Sequence, residues 1–137
     1  MANDPRLPVR RSVVALLRSD APLSVMVDVR TYGPETPANV TWPFNRYGSA
    51  TYIPERATCM DGAKVFVSVH SFARGPGEDA ASAIAARIAK ILDGATLVLE
   101  NGDEATVTVT GGQTLRDTDE ASAWHCTTDI EVTVVSQ

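Results

Sequence analysis

The stretch AKVFVSVHSFARGPGEDAASAIAARIAKIL, residues 63–92, holds two hydrophobic periods in succession. The switch between them decides the fold. Val65, Val67 and Val69 fall on one side of an extended chain, and Phe66, Ser68, His70 and Phe72 on the other. From Ala81 the spacing becomes helical. Ala81, Ile84, Ala85, Ile88, Ile91 and Leu92 form one stripe, with Asp79, Arg87 and Lys90 off it. Asp93-Gly94 closes that helix, glycine being the usual residue where a helix turns left-handed. One helix can cover only one face of the strand. The face carrying Phe66 and Phe72 is half apolar and needs another cover.

Upstream, Val9, Val13, Leu16 and Leu17 share a helical face, which predicts a short amphipathic helix ending near Asp20. Asp20 followed by Pro22 predicts the cap of a second short helix, PLSVMVDV, although Val25, Val27 and Val29 also alternate as a strand would. Residues 31–48 contain three prolines, two glycines and four aromatic residues, Tyr32, Trp42, Phe44 and Tyr47. Proline at this density predicts a loop, and a loop this long usually has a task. Its aromatic side chains either fold back over the domain's own core or form a contact arm for another subunit. SATYIPERAT reads as a strand that Pro54 confines to an edge or a bulge.

Downstream, Asn101-Gly102 between two alternating runs is a strong hairpin signal. The segment from Gly111 to Val135 predicts two further strands around a loop near 118–122. In the last of them Trp124, Cys126, Ile130, Val132 and Val134 point one way, and His125, Thr127, Asp129, Glu131 and Thr133 the other. Strands in runs with segregated helices predict an α+β fold: a mostly antiparallel sheet, one long helix packed on it and short N-terminal helices. The length of 137 residues fits a single domain over 1–137, with the Pro- and aromatic-rich loop at 31–48.

The net charge of −5 is unevenly spread. Residues 1–30 hold five arginines against three acids, and residues 77–137 hold eleven acids against three bases. An acidic half argues against wrapping nucleic acid. It fits a surface that meets a basic partner, one that DNA slides past, or simply a soluble one. The N-terminal residues lack the apolar core of a signal peptide and no run is long enough to span a bilayer, so a cytoplasmic origin without membrane contact is expected. Cys59 and Cys126 fall in strand-like segments and read as reduced, half-buried thiols.

Catalytic and ligand chemistry finds little support. Glu78 and Asp79 occupy the first turn of the long helix, where they complement its dipole and would repel a phosphate. Ser68 and His70 share a strand face and could serve a small ligand-binding or hydrolytic domain, but no third group at a recognised spacing orients them. His70 and His125 are the only histidines, and neither shows zinc-ligand spacing with Cys59 or Cys126. The acids Asp103, Glu104, Asp117, Asp119 and Glu120 lie at predicted turns, without the alternating ligands of a calcium loop. No catalytic residue, metal or cofactor is therefore expected. The surface remains. Phe66, His70 and Phe72, with Tyr32, Trp42, Phe44 and Tyr47 of the aromatic loop, are the candidate residues of a subunit interface.

The layout resembles a known family. VVALLRSDAPL, the Pro-rich loop, VFVSVHSF, a glycine, AASAIAARIAKIL, a hairpin and a closing strand in LRDTDEASAWHCTTDIEV are similar to the tail-completion proteins of long-tailed bacteriophages, also called tail terminators or head–tail joining proteins. Gene transfer agents carry relatives of these. The resemblance spans roughly residues 7–135 and is weakest in the 31–48 loop. It implies a non-enzymatic virion protein that forms a hexameric ring. Such a ring caps the tail-tube protein and meets the head–tail connector, with DNA passing through the lumen without sequence-specific binding. Acidic turns would then make the lumen negative. A tail-tube or minor tail protein of similar shape is the alternative within the virion.

Overall fold

The computed structural model describes residues 4–56, 61–116 and 123–135. Cys59 and the acids of 117–120 lie outside them. Three helices, α1 (Arg6–Ser19), α2 (Ala21–Val27) and α3 (Asp79–Leu92), accompany one sheet. Its strands are β1 (Thr31–Tyr32), β2 (Phe44–Tyr47), β3 (Thr51–Arg56), β4 (Asp61–Arg74), β5 (Thr96–Val98), β6 (Glu104–Arg116) and β7 (Ala123–Val135). The order across the sheet is β1-β2-β4-β7-β6-β5, and β3 also pairs with β4. All pairings are antiparallel except β1 with β2. The expectation of an α+β chain with a mostly antiparallel sheet holds.

The β4–β7 ladder is the centre, with thirteen residues of each strand in register from Gly62↔Val135 to Arg74↔Ala123. Alternation sets its two faces. Val65, Val67 and Val69 of β4 and Ile130, Val132 and Val134 of β7 are buried, together with Val107 of β6. The helices cover this side. Ala81, Ile84, Ile88 and Leu92 of α3, and Val9, Val13 and Leu17 of α1, join the same cluster. Asp20 accepts a hydrogen bond from the Leu23 amide, capping α2, and a bidentate pair from Arg87 of α3 at 2.8 and 2.9 Å. One carboxylate thus satisfies an orphan amide and ties two helices together. The arginine beside it holds the Asp20 carboxyl below the usual range.

Three readings need correction. The single long helix is one of two, since α1 and α3 each have 14 residues. The 31–48 stretch is not all loop: β1 and β2 lie inside it, and β2 pairs with β4 from Phe44↔Phe72 to Tyr47↔Val69. Tertiary pairing rescues four residues too short to announce themselves between prolines. The last region has three strands rather than four. Gly111-Gly112 lies inside β6, at a register shift after Val109. A Cβ on Gly112 would run into the Thr127 carbonyl oxygen, so glycine marks a close backbone approach across a bulge.

Other local signals behave as read. Gly94 and Gly102 have φ of 79° and 91° at the end of α3 and in the β5–β6 hairpin. Pro54 sits in β3, which pairs only with β4 among the described strands. β2 and β3 occupy successive halves of the same edge of β4, joined through Gly48–Ala50 with a one-residue offset in register. Gly48 marks that offset and donates its amide to the Ser68 carbonyl at 2.9 Å.

Candidate functional site

The face of the sheet opposite the helices is ordered in rungs that cross the strands. The register places Phe44 of β2, Phe72 of β4, His125 of β7 and Leu115 of β6 on one line. Three of these rings stack. Phe44 and Phe72 have centroids 4.7 Å apart at 14°, and Phe72 and His125 4.4 Å apart at 13°. Trp42 meets Phe44 and Phe72 edge-on at 5.3 and 6.0 Å, and Tyr32 flanks Phe44 at 6.3 Å. The Arg74 guanidinium covers Trp42 at 4.5 Å. Each aromatic pair contributes about 0.5–1.5 kcal/mol beyond its buried area, so the stack helps hold the β2 edge to the centre.

The next rung carries Arg46, His70, Thr127 and Gln113. His70 Nδ1 and His125 Nε2 lie 2.6 Å apart, one ring N–H donating to the other ring. Burial, then His125 and Arg46, push the His70 pKa down to about 4, while Asp129 acts the other way. Below it Ser68 donates its hydroxyl to Asp129 Oδ1 at 2.5 Å. Serine is thus engaged with the carboxylate and His70 with a second histidine. That arrangement does not form the nucleophile–base pair a hydrolytic reading requires. Among the described residues no group of three or more His, Cys, Asp or Glu side chains is placed to hold a metal. Phe66 lies further along, opposite Glu131 and Thr51, and is 38% exposed.

Of the seven interface candidates, Tyr32, Trp42, Phe44, His70 and Phe72 come together in this cluster and Phe66 shares their face. Tyr47 does not. It points to the helix side, 1% exposed, and offers no surface to a neighbour. The aromatic stretch therefore folds back over both faces of the sheet, Tyr47 onto the core and Tyr32, Trp42 and Phe44 onto the far face. Sequence reasoning missed His125, Arg46 and Arg74 as members. Face alternation placed His125 correctly, whereas its partnership with Phe72 depends on a register that no local signal carries.

The histidine pair makes stability depend on pH. Folded His70 stays neutral to about pH 4, while in the unfolded chain it takes a proton near 6.5. Between these values the unfolded state binds more protons, so stability falls as pH drops from 6.5 to 4. With the ring half-exposed, screening leaves roughly 1 kcal/mol. Urea midpoints at pH 7 and pH 4.5 should differ less in His70→Gln than in the native protein. An equal difference in both would show that His70 is not responsible.

With this geometry in hand, the comparisons are specific. Residues 11–134 match the tail completion protein gp17 family. The chain belongs to this family. Family membership makes it a tail structural protein. A chain from the virion of a native gene transfer agent particle shares the fold at a TM-score of 0.87 and 19% identity, covering 98% of this chain and all of that one. A second solved chain is similar at a TM-score of 0.58 and 14% identity, over 96% of this chain and 94% of that one. No curated protein matches the sequence.

Proposed function

We propose that this tail completion protein acts by self-assembly, as a closed ring of about six copies that caps the tail tube and joins it to the head connector. It would do so in the neck of a phage or gene-transfer-agent particle put together in a bacterial cytoplasm. The observation that carries the reading is the sheet face left open by all three helices. Its rungs hold Phe66, Ile53 and Leu115 at 38%, 53% and 44% exposure beside the stacked aromatic cluster. Large side chains grouped on one face favour a neighbour over water. The acidic β5–β6 turn, with Asp103 and Glu104, suits the lumen, since a positive channel would retain DNA by counterion release.

Native mass measurement with negative-stain images of the purified protein, alone and with tail tubes, tests the proposal. Uniform closed rings are expected, and long fibres would instead support a tube protein. An arginine-lined channel in such rings would rule out the negative lumen. Phe66→Asp is the cleaner probe of the contact face, because Phe72 also holds its own protomer together. The variant is expected to remain folded and to dissociate to monomers. A ring of unchanged mass would remove Phe66 from the contact.

A further inference from the structure

Where the start of α1 faces the corner between β2 and β3, Leu7, Arg10, Pro34, Tyr47, Gly48 and Ala50 line a cleft of about 460 Å³. That is within the size that ligand pockets take. Asp4 and Arg6 also reach its lining, but they bond one another and their charges cancel. Arg10 makes no hydrogen bond or ion pair among the described residues, so one positive charge is left over. The Tyr47 hydroxyl is the second free group. Tyr47 is 1% exposed, and its oxygen is buried with no hydrogen-bond partner. Buried hydroxyl groups are normally satisfied, and an unpaired one costs stability. The two groups are neighbours on the helix side of the sheet: burial resists ionisation of the Tyr47 hydroxyl, and the Arg10 charge acts the other way on it. The backbone at Gly33 runs alongside the arginine stem, since a Cβ there would lie 3.9 Å from Arg10 Cδ and Nε. Leu7, Pro34 and Ala50 supply apolar walls.

We infer that this cleft binds a carboxylate carried on an aliphatic stem, with the Arg10 guanidinium and the Tyr47 hydroxyl donating to its two oxygens. An ionised carboxylate only accepts, and it offers two oxygens to the two donors. Charge sets the class. One unbalanced cation neutralises one negative charge, which a carboxylate carries and a phosphate monoester exceeds. A nucleic-acid phosphate also carries one charge, but it arrives in a polyanion that a chain of net charge −5 repels. The cleft is several times larger than a carboxylate alone, and the walls beside its polar end are hydrocarbon. Each methylene buried there gains up to about fourfold in affinity. Such a stem belongs to a glutamate side chain on another polypeptide or to a free short-chain acid, and both present the same group. Glu35 of the same protomer lines the adjoining cleft and not this one, and forms no ion pair with Arg10. The site needs no assembly, so it stands or falls apart from the ring reading.

Titration of the full nitrogen-15-labelled chain at neutral pH and constant ionic strength tests the site. The probes are acetate, butyrate, a blocked glutamate (N-acetylglutamic acid α-amide) and inorganic phosphate. Saturable shifts of the Gly48 and Ala50 amide signals are expected with butyrate and the blocked glutamate, at lower concentration than with acetate. Arg10→Gln and Tyr47→Phe should each weaken that binding about tenfold. Arg11→Gln removes an equal charge one residue away, from an arginine paired with Glu100 outside this lining, and should leave binding unchanged. Tyr47→Phe should also raise the urea midpoint in carboxylate-free buffer, because it deletes an unpaired buried hydroxyl. That gain would show the variant to be folded, whereas a lower midpoint would mean the hydroxyl is already satisfied and the assignment wrong. Tighter binding of the blocked glutamate than of butyrate assigns the carboxylate to a polypeptide, and the reverse order to a free acid; both support the site. Shifts that never saturate, that persist at equal strength in Arg10→Gln, or that answer to phosphate and not to the carboxylates overturn it.

Discussion

Gly48→Ala is expected to lower stability by about 3 kcal/mol, and Gly48→Val to prevent stable folding. The reason is space, not backbone freedom. Among the described glycines only Gly94 and Gly102 have positive φ. A Cβ on Gly48 would lie 2.7 Å from the Ser68 carbonyl oxygen and 2.9 Å from His70 Nε2. The first is main chain of the central strand β4 and cannot move aside without breaking the ladder to β7. The same oxygen accepts the Gly48 amide, so relief of the clash also removes the hydrogen bond that seats the β2–β3 corner. Urea denaturation provides the measurement, a shift in midpoint at constant slope reporting lost stability. Gly77→Ala is the control. Nothing lies within 4 Å of a Cβ there, and a change within about 0.5 kcal/mol is expected. Equal midpoints for Gly48→Ala and the native protein would show that this corner tolerates a side chain.

Ile88→Ala should cost about 2–5 kcal/mol. Ile88 is fully buried in the middle of the α3 stripe, packed into the cluster that includes Val65, Val69 and Val132. Removing its outer carbons leaves a void between helix and sheet that neither element can collapse into, both being held at their ends. Against a total of about 5–15 kcal/mol, such a loss raises the unfolded fraction about thirtyfold or more. Ile91 lies on the margin of the stripe and is only partly buried, so Ile91→Ala should cost less. Thermal or urea unfolding that ranked the two in the opposite order would place α3 in a different rotation on the sheet.

Much of this architecture is legible in the residues. Val65, Val67 and Val69 alternate because one face of β4 is buried, and the α3 stripe repeats at helical spacing for the same reason. Asp20 could be read as a cap because its chemistry is local. The 31–48 region was less legible. Phe44-Asn45-Arg46-Tyr47 is too short to show a period, and it becomes a strand only because β4 offers it an edge. The open face was half visible, since alternation assigns Phe72 and His125 to it while leaving their pairing unstated.

The β4–β7 ladder has a further consequence, for the timing of folding. Its partners are separated along the chain by between 49 residues (Arg74 with Ala123) and 73 residues (Gly62 with Val135). A sheet whose centre joins such distant segments closes late, because loop entropy must be met before the contacts reward it. At about 5–20 residues per second of synthesis, several seconds pass between the appearance of β4 and that of β7. Through that interval the β7-facing edge of β4 lies unpaired and prone to mispair. Once β7 arrives, one ladder completes the core on one face and aligns the aromatic rung on the other. The aromatic face is therefore completed only in the same step that makes the interior sound.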